Sequence, residues 1–133
     1  MNEKVINLRR GSLERVGSVD SGELAHLILD AVTEKMGVNT VMLDIQTVSL
    51  LGDFFIISSG ESERQIQAIV DEIKSQIKKE MKIVPLHIEG SVSSGWMLVD
   101  YGGVVVHIFS PAMRDYYQLE SLWSDAPVVV KMQ

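Results

Sequence analysis

The chain has 133 residues, no cysteine, 46% hydrophobic residues and a formal net charge of -6 at pH 7. A chain of this length makes one domain and can bury about two-thirds of its unfolded surface, so a packed core is expected, whereas disulfides and thiolate metal sites are excluded. No run approaches the ~18 consecutive apolar residues of a membrane span, and the N-terminus lacks a secretory apolar stretch, so a cytoplasmic location is expected.

Residues 1–19 hold four basic and two acidic side chains with Gly11, Ser12, Gly17 and Ser18 and no sustained period, which predicts a flexible N-terminal arm. The rest of the chain therefore holds a net charge of -8. Such a body is a poor match for phosphate backbones and a better one for a basic protein. The domain, residues 20–133, is expected to open at Asp20. With Glu23 three residues on, Asp20 resembles a capping box, and Leu24, Leu27, Ile28, Ala31 and Val32 then follow on one helical stripe until Gly37. His26 falls on the opposite, solvent face.

Val41 to Ile45 and Phe54 to Ser58 are short apolar runs separated by Thr47, Ser49 and Gly52, and predict two strands. Ser62 with Gln65 gives a second capping pattern before a long helix ending near Met81, with Ile66, Ile69, Val70, Ile73 and Ile77 on its apolar stripe. Pro85 to Glu89 predicts a strand and Gly90 to Gly95 a polar loop.

Trp96 to Tyr101 and Val104 to Phe109 flank Gly102-Gly103, a strong hairpin signal because two-residue turns demand positive φ. Counting outward places Tyr101 opposite Val104, Asp100 opposite Val105, Val99 opposite Val106, Leu98 opposite His107, Met97 opposite Ile108 and Trp96 opposite Phe109. Met97, Val99, Tyr101, Val104, Val106 and Ile108 then form an apolar face suited to lie under helices. The other face mixes Trp96, Leu98, Asp100, Val105, His107 and Phe109, with Asp100 and His107 as diagonal neighbours within contact distance. Pro111 opens a last helix on which Tyr116, Leu119 and Trp123 share a stripe; Trp123 and Leu119 are expected to pack it down. Val128 to Val130 is either an edge strand or a packed tail. The order implies an α/β fold with a mixed β-sheet of about five strands packed with helices. The long helix would be a right-handed crossover if the strands it joins are parallel.

Three kinds of chemistry fit the residues poorly. A hydrolase would need His107, Asp100 and Ser58 or Ser59, but the Gly-x-Ser-x-Gly elbow is missing, and a strand histidine bonded to a neighbouring carboxylate is the simpler account. A metal site would draw on His26, His87 and His107, no two of which have ligand spacing on one element. Gly90 and Gly95 flank a serine-rich loop without a phosphate-loop signature. Lys74, Lys78, Lys79 and Lys82 could form a nucleic-acid patch, but they are interrupted by Glu72 and Glu80 and lack interleaved aromatics, so they read as a solvated helix end. Both tryptophans and all three tyrosines, in contrast, fall within residues 95–123. These are residue types that dominate interface hot spots as well as cores, and here they surround charged residues.

Across the domain, Leu43-Asp44-Ile45, Asp53 to Ile57, Ser59-Gly60, Ser62, Arg64-Gln65, Ala68-Ile69, Glu89-Gly90, Trp96 to Gly102, Val106 to Phe109, Arg114 and Tyr117 to Trp123 resemble the iojap-like family of bacterial ribosomal silencing factors and their organellar relatives. The resemblance runs from about Glu23 to Asp125. Gly103 departs from it, standing where the family often has an acidic residue, and residues 1–19 lie outside the family's usual core.

The resemblance implies a nucleotidyltransferase-like fold without the catalytic carboxylate pair, since neither Asp44 nor Asp53 has a second acid two residues on. It implies no enzyme activity and no cofactor. The implied partner is the large ribosomal subunit, bound through ribosomal protein L fourteen so that subunit joining is blocked and translation falls in starvation; a homodimer is also implied. Contacts are expected from among Trp96, Leu98, Asp100, His107, Tyr116, Tyr117, Glu120 and Trp123. A nucleotide-binding enzyme with metal near Asp44 and Asp53 is the alternative, and direct RNA binding a third possibility whose mark would be steep salt dependence.

Overall fold

The computed structural model describes residues 19–133. The arm expected over residues 1–19 lies outside the described residues up to residue 18, whereas Val19 packs against the domain core.

The first helix, α1, is Ser21–Glu34. Asp20 caps it, Oδ1 accepting from the backbone N–H groups of Gly22 at 2.8 Å and Glu23 at 3.2 Å, which satisfies two of the free donors of the first turn. Gly37 ends the turn that follows: a Cβ there would lie 2.4 Å from Val32 Cγ1 and 2.6 Å from Ser58 Oγ, so only glycine lets the chain enter the sheet this close to the helix. Strand β1 is Val38–Asp44 and β2 is Phe54–Ser59. The long helix α2, Glu63–Met81, buries Ile66, Ile69, Val70, Ile73 and Ile77, the stripe expected from the spacing.

At the start of α2 the reciprocal box is only half made. Ser62 Oγ accepts from Gln65 N, but Gln65 Oε1 accepts from Glu61 N, and its Nε2 donates to the carbonyls of Lys35 and Met36. Gln65 thus ties the beginning of α2 to the end of α1. Lys82, in the left-handed region at φ 60, closes the helix by donating to Lys78 O.

Strand β3 is His87–Ser91, β4 is Trp96–Asp100 and β5 is Val104–Phe109. The β4–β5 register is the one counted outward from Gly102-Gly103, from Asp100 opposite Val105 to Trp96 opposite Phe109. The expected single last helix is two, α3 (Pro111–Tyr117) and α4 (Leu119–Leu122), separated by Gln118 at φ 49. The tail left open between strand and packed segment is strand β6, Val128–Met132, paired antiparallel with β1.

These strands form one six-stranded sheet of order β3-β4-β5-β2-β1-β6, one more than the five expected. Only β2 and β5 pair in parallel. The strands joined by α2 are parallel in direction but not neighbours, because the β4–β5 hairpin lies between them. Alternation then sorts the core. Met97, Val99, Val104, Val106 and Ile108 join α1 and α2 on one face, and Val105, Phe109, Phe55 and Ile57 join Met113, Leu119 and Trp123 on the other.

Candidate docking face

The second face of the sheet, under α3 and α4, is where the aromatic residues converge. Trp96 stacks on Phe109 across the hairpin with centroids 5.0 Å apart, and Tyr117 from α3 closes on the same indole at 4.5 Å. Trp123, following α4, meets Phe55 of β2 edge to face at 5.2 Å. Leu119 and Trp123 therefore anchor the corner, as the helical stripe suggested.

His107 occupies the middle of this cluster and is only 4% exposed. Its Nδ1 accepts the Trp96 indole N–H at 3.3 Å, and Phe55 contacts the ring edge to face at 4.9 Å. Since Nδ1 is an acceptor, the ring is neutral with its proton on Nε2, and Nε2 has no hydrogen-bond partner. Burial pushes the imidazole pKa down to about 4.

The expected Asp100–His107 contact is not made. Asp100 Oδ1 instead accepts from Gly102 N at 2.7 Å, capping the hairpin turn, because that backbone donor is two residues away while the imidazole is engaged by Trp96. His107 is buried, and Glu120 is held by Arg114 at 2.9 and 3.0 Å.

What faces solvent is a different subset. Tyr116 is 74% exposed, Tyr117 is exposed beside it with rings 5.1 Å apart, and Leu122 is 74% exposed. Trp96, Leu98 and Tyr117, with Glu89, Gly90 and Ser94, line a cavity of about 180 Å³. Gly90 makes its shape possible: at φ 86 it brings β3 so close that a Cβ would lie 2.0 Å from Trp96 O. Exposed Glu89 adds negative charge at this cavity. Leu122 and Glu89 are not among the residues expected from the sequence to supply contacts. Leu119 and Leu122 are i, i+3 neighbours within α4, yet Leu119 packs against the sheet while Leu122 is left in solvent.

The other candidates are dispersed. Buried Ser58 bonds Thr40 Oγ1 at 2.8 Å and Ser59 Oγ accepts from Arg114, so no serine is paired with His107. Asp44 Oδ1 accepts from Gln46 N. His26 is exposed and bonded to its own helix at Gly22 O, and His87 is exposed on β3. Among the described residues no group of three or more His, Asp or Glu is placed to hold a metal ion, and no helix is long and apolar enough to cross a membrane. Lys74, Lys78, Lys79 and Lys82 are exposed at the far end of α2, away from the aromatic face.

The sequence model of the family described as "Ribosomal silencing factor during starvation" matches residues 18–133. The chain belongs to the ribosomal silencing factor family. A ribosomal silencing factor from Halalkalibacterium halodurans is 44% identical over 107 residues, covering 80% of this chain and 91% of that one. A mouse protein named for mitochondrial assembly of the ribosomal large subunit is 36% identical over 74 residues, covering 54% of this chain and 32% of its own. A crystal structure from Chromobacterium violaceum superposes with a TM-score of 0.75 at 34% identity, covering 80% of this chain and 88% of that one. The family match begins at residue 18, so the basic N-terminal segment lies outside it.

Proposed function

We propose that this silencing-factor chain docks on the large ribosomal subunit through ribosomal protein L fourteen and keeps the small subunit from joining, lowering translation in starvation. The observation that carries the proposal is the surface around Trp96, Tyr116, Tyr117 and Leu122, where large apolar and aromatic side chains stay exposed and Glu89 lines the adjoining cavity. An exposed aromatic centre with a polar rim has the composition of a protein interface. An acidic body favours rapid encounter with a basic ribosomal protein.

Blocking requires occupancy rather than bond making, which suits a face whose only buried titratable ring, His107, is held neutral and tied to Trp96. The family description and the mouse relative's name both point to ribosomes, the latter to the large subunit. The scaffold in this proposal is nucleotidyltransferase-like without a carboxylate pair, the location cytoplasmic, and the free form a homodimer. Co-sedimentation with purified large subunits, followed by addition of small subunits, tests the central claim. Pelleting with large subunits and fewer joined ribosomes is expected; unhindered joining at saturating protein would sink it.

A further inference from the structure

The α3–α4 corner displays Tyr116, Tyr117 and Leu122, yet neither helix contains a fully buried residue. Met113, Leu119 and Trp123 pack it against the sheet as partly buried side chains, and a polar clamp adds to their hold. Arg114 Nε donates to Glu120 Oε1 at 2.9 Å and Nη2 to Glu120 Oε2 at 3.0 Å, a two-pronged bond from α3 to α4 across the break at Gln118. Nη1 donates to Ser59 Oγ at 3.0 Å, at the end of β2, and to Val38 O at 3.3 Å, at the start of β1. One guanidinium thus joins both short helices to two strands.

The surroundings make this clamp hard to replace. Cavities of about 340 and 350 Å³ flank it, and Asn39, Arg114 and Glu120 line both. On this side of the corner the fork spans the gap between the helices and the strands, while Leu119 and Trp123 pack on the other. Gln118, at φ 49, is the joint between the helices, and Asn39, at φ 50, lies in the irregular stretch of β1 beside Val38. The Arg114 side chain is only 13% exposed, so these charge-assisted bonds are partly shielded from water.

We propose that Arg114 is a positioning residue for the docking face: by closing α4 back onto α3 and pinning both to β1 and β2, it sets Tyr117 against Trp96 and Trp123 against Phe55. This rests on the docking reading above. A lysine keeps the charge but is a single-point donor and cannot make the parallel pair to Glu120 together with the bonds to Ser59 and Val38.

The experiment compares the full chain with Arg114→Lys and, as an independent route to the same fork, Glu120→Gln. Without ribosomes, amide hydrogen exchange over residues 114–123 is expected to speed up about tenfold in each variant, with α2 and β2 unchanged. With large subunits, both variants are expected to dissociate about tenfold faster while far-UV circular dichroism stays native. Unchanged exchange at the corner in both variants overturns the clamp. Faster exchange with unaltered dissociation overturns its role in docking. A wild-type chain that does not sediment with large subunits removes the docking reading and the role together, a result distinct from variants that dock as well as wild type.

Discussion

The indole N–H of Trp96 donates to Nδ1 of His107 at 3.3 Å, and this bond requires the buried ring to be neutral. A protonated imidazole would place a donor against a donor and an uncompensated charge among Phe55, Phe109 and Trp123. The aromatic face is therefore built over a group that resists protonation.

The pH dependence follows from the sign of that shift. The folded-state pKa of about 4 lies below the ordinary value of 6.5, so between these values the unfolded chain binds the extra proton. The His107 contribution is complete above pH 6.5, falls as pH drops through 6.5 towards 4, and is constant below that. From about pH 7.5 to about pH 5 wild type is expected to lose roughly 2 kcal/mol more stability than His107→Gln. Urea unfolding of both proteins at the two pH values measures this, and parallel losses would contradict it.

Tyr116 separates binding from folding. It is 74% exposed, so Tyr116→Ala is expected to change unfolding free energy by less than about 0.5 kcal/mol. The same variant is expected to weaken large-subunit docking by about tenfold, as does Leu122→Ala. A sedimentation titration beside a thermal melt checks both halves of the expectation.

Gly90→Ala tests the cavity wall. The added methyl meets Trp96 O at 2.0 Å from a backbone at φ 86, so strand β3 must move or β4 must yield. A loss of roughly 1–3 kcal/mol is expected, with a shifted tryptophan emission maximum reporting displacement around Trp96. Unchanged stability and emission would show that the close approach has slack.

Ile73→Ala, on the helix side of the sheet, is expected to destabilise by roughly 2–5 kcal/mol because Ile73 is fully buried in the middle of α2. Docking by the fraction that remains folded should match wild type, since α1 and α2 lie on the side of the sheet opposite the aromatic face. Equilibrium unfolding and docking of that variant give the two numbers.

Local rules explain why some of this was legible in the sequence. The hairpin register could be counted because Gly102-Gly103 fixes the turn and strand alternation does the rest, and the α2 stripe was legible because five aliphatic residues repeat on one face. The Asp100–His107 contact failed because alternation assigns a face but does not rank competing partners: Gly102 N is nearer to the carboxylate, and Trp96 engages the imidazole. The break at Gln118 carries no glycine or proline, and it is coupled to a salt bridge, Arg114 to Glu120, spanning the joint. Strand β6 depends on pairing with β1, at the other end of the domain in sequence, and no local pattern encodes that choice.

The sheet is assembled from two locally connected groups, β1–β2 and β3–β4–β5, which meet only where β2 runs alongside β5 in register, residue by residue from Phe54 and Val104 to Ser59 and Phe109. Each of these partners is fifty residues from the other along the chain, so closing this seam must overcome the loop-closure entropy of the intervening helix and hairpin. Trp96 and Tyr117 belong to one side of the seam, and Phe55, which seats Trp123, to the other. The aromatic face is therefore complete only once this long-range join has formed: a chain with α2 and the hairpin formed, but the seam open, would have its aromatic residues in hand and no surface on which to present them.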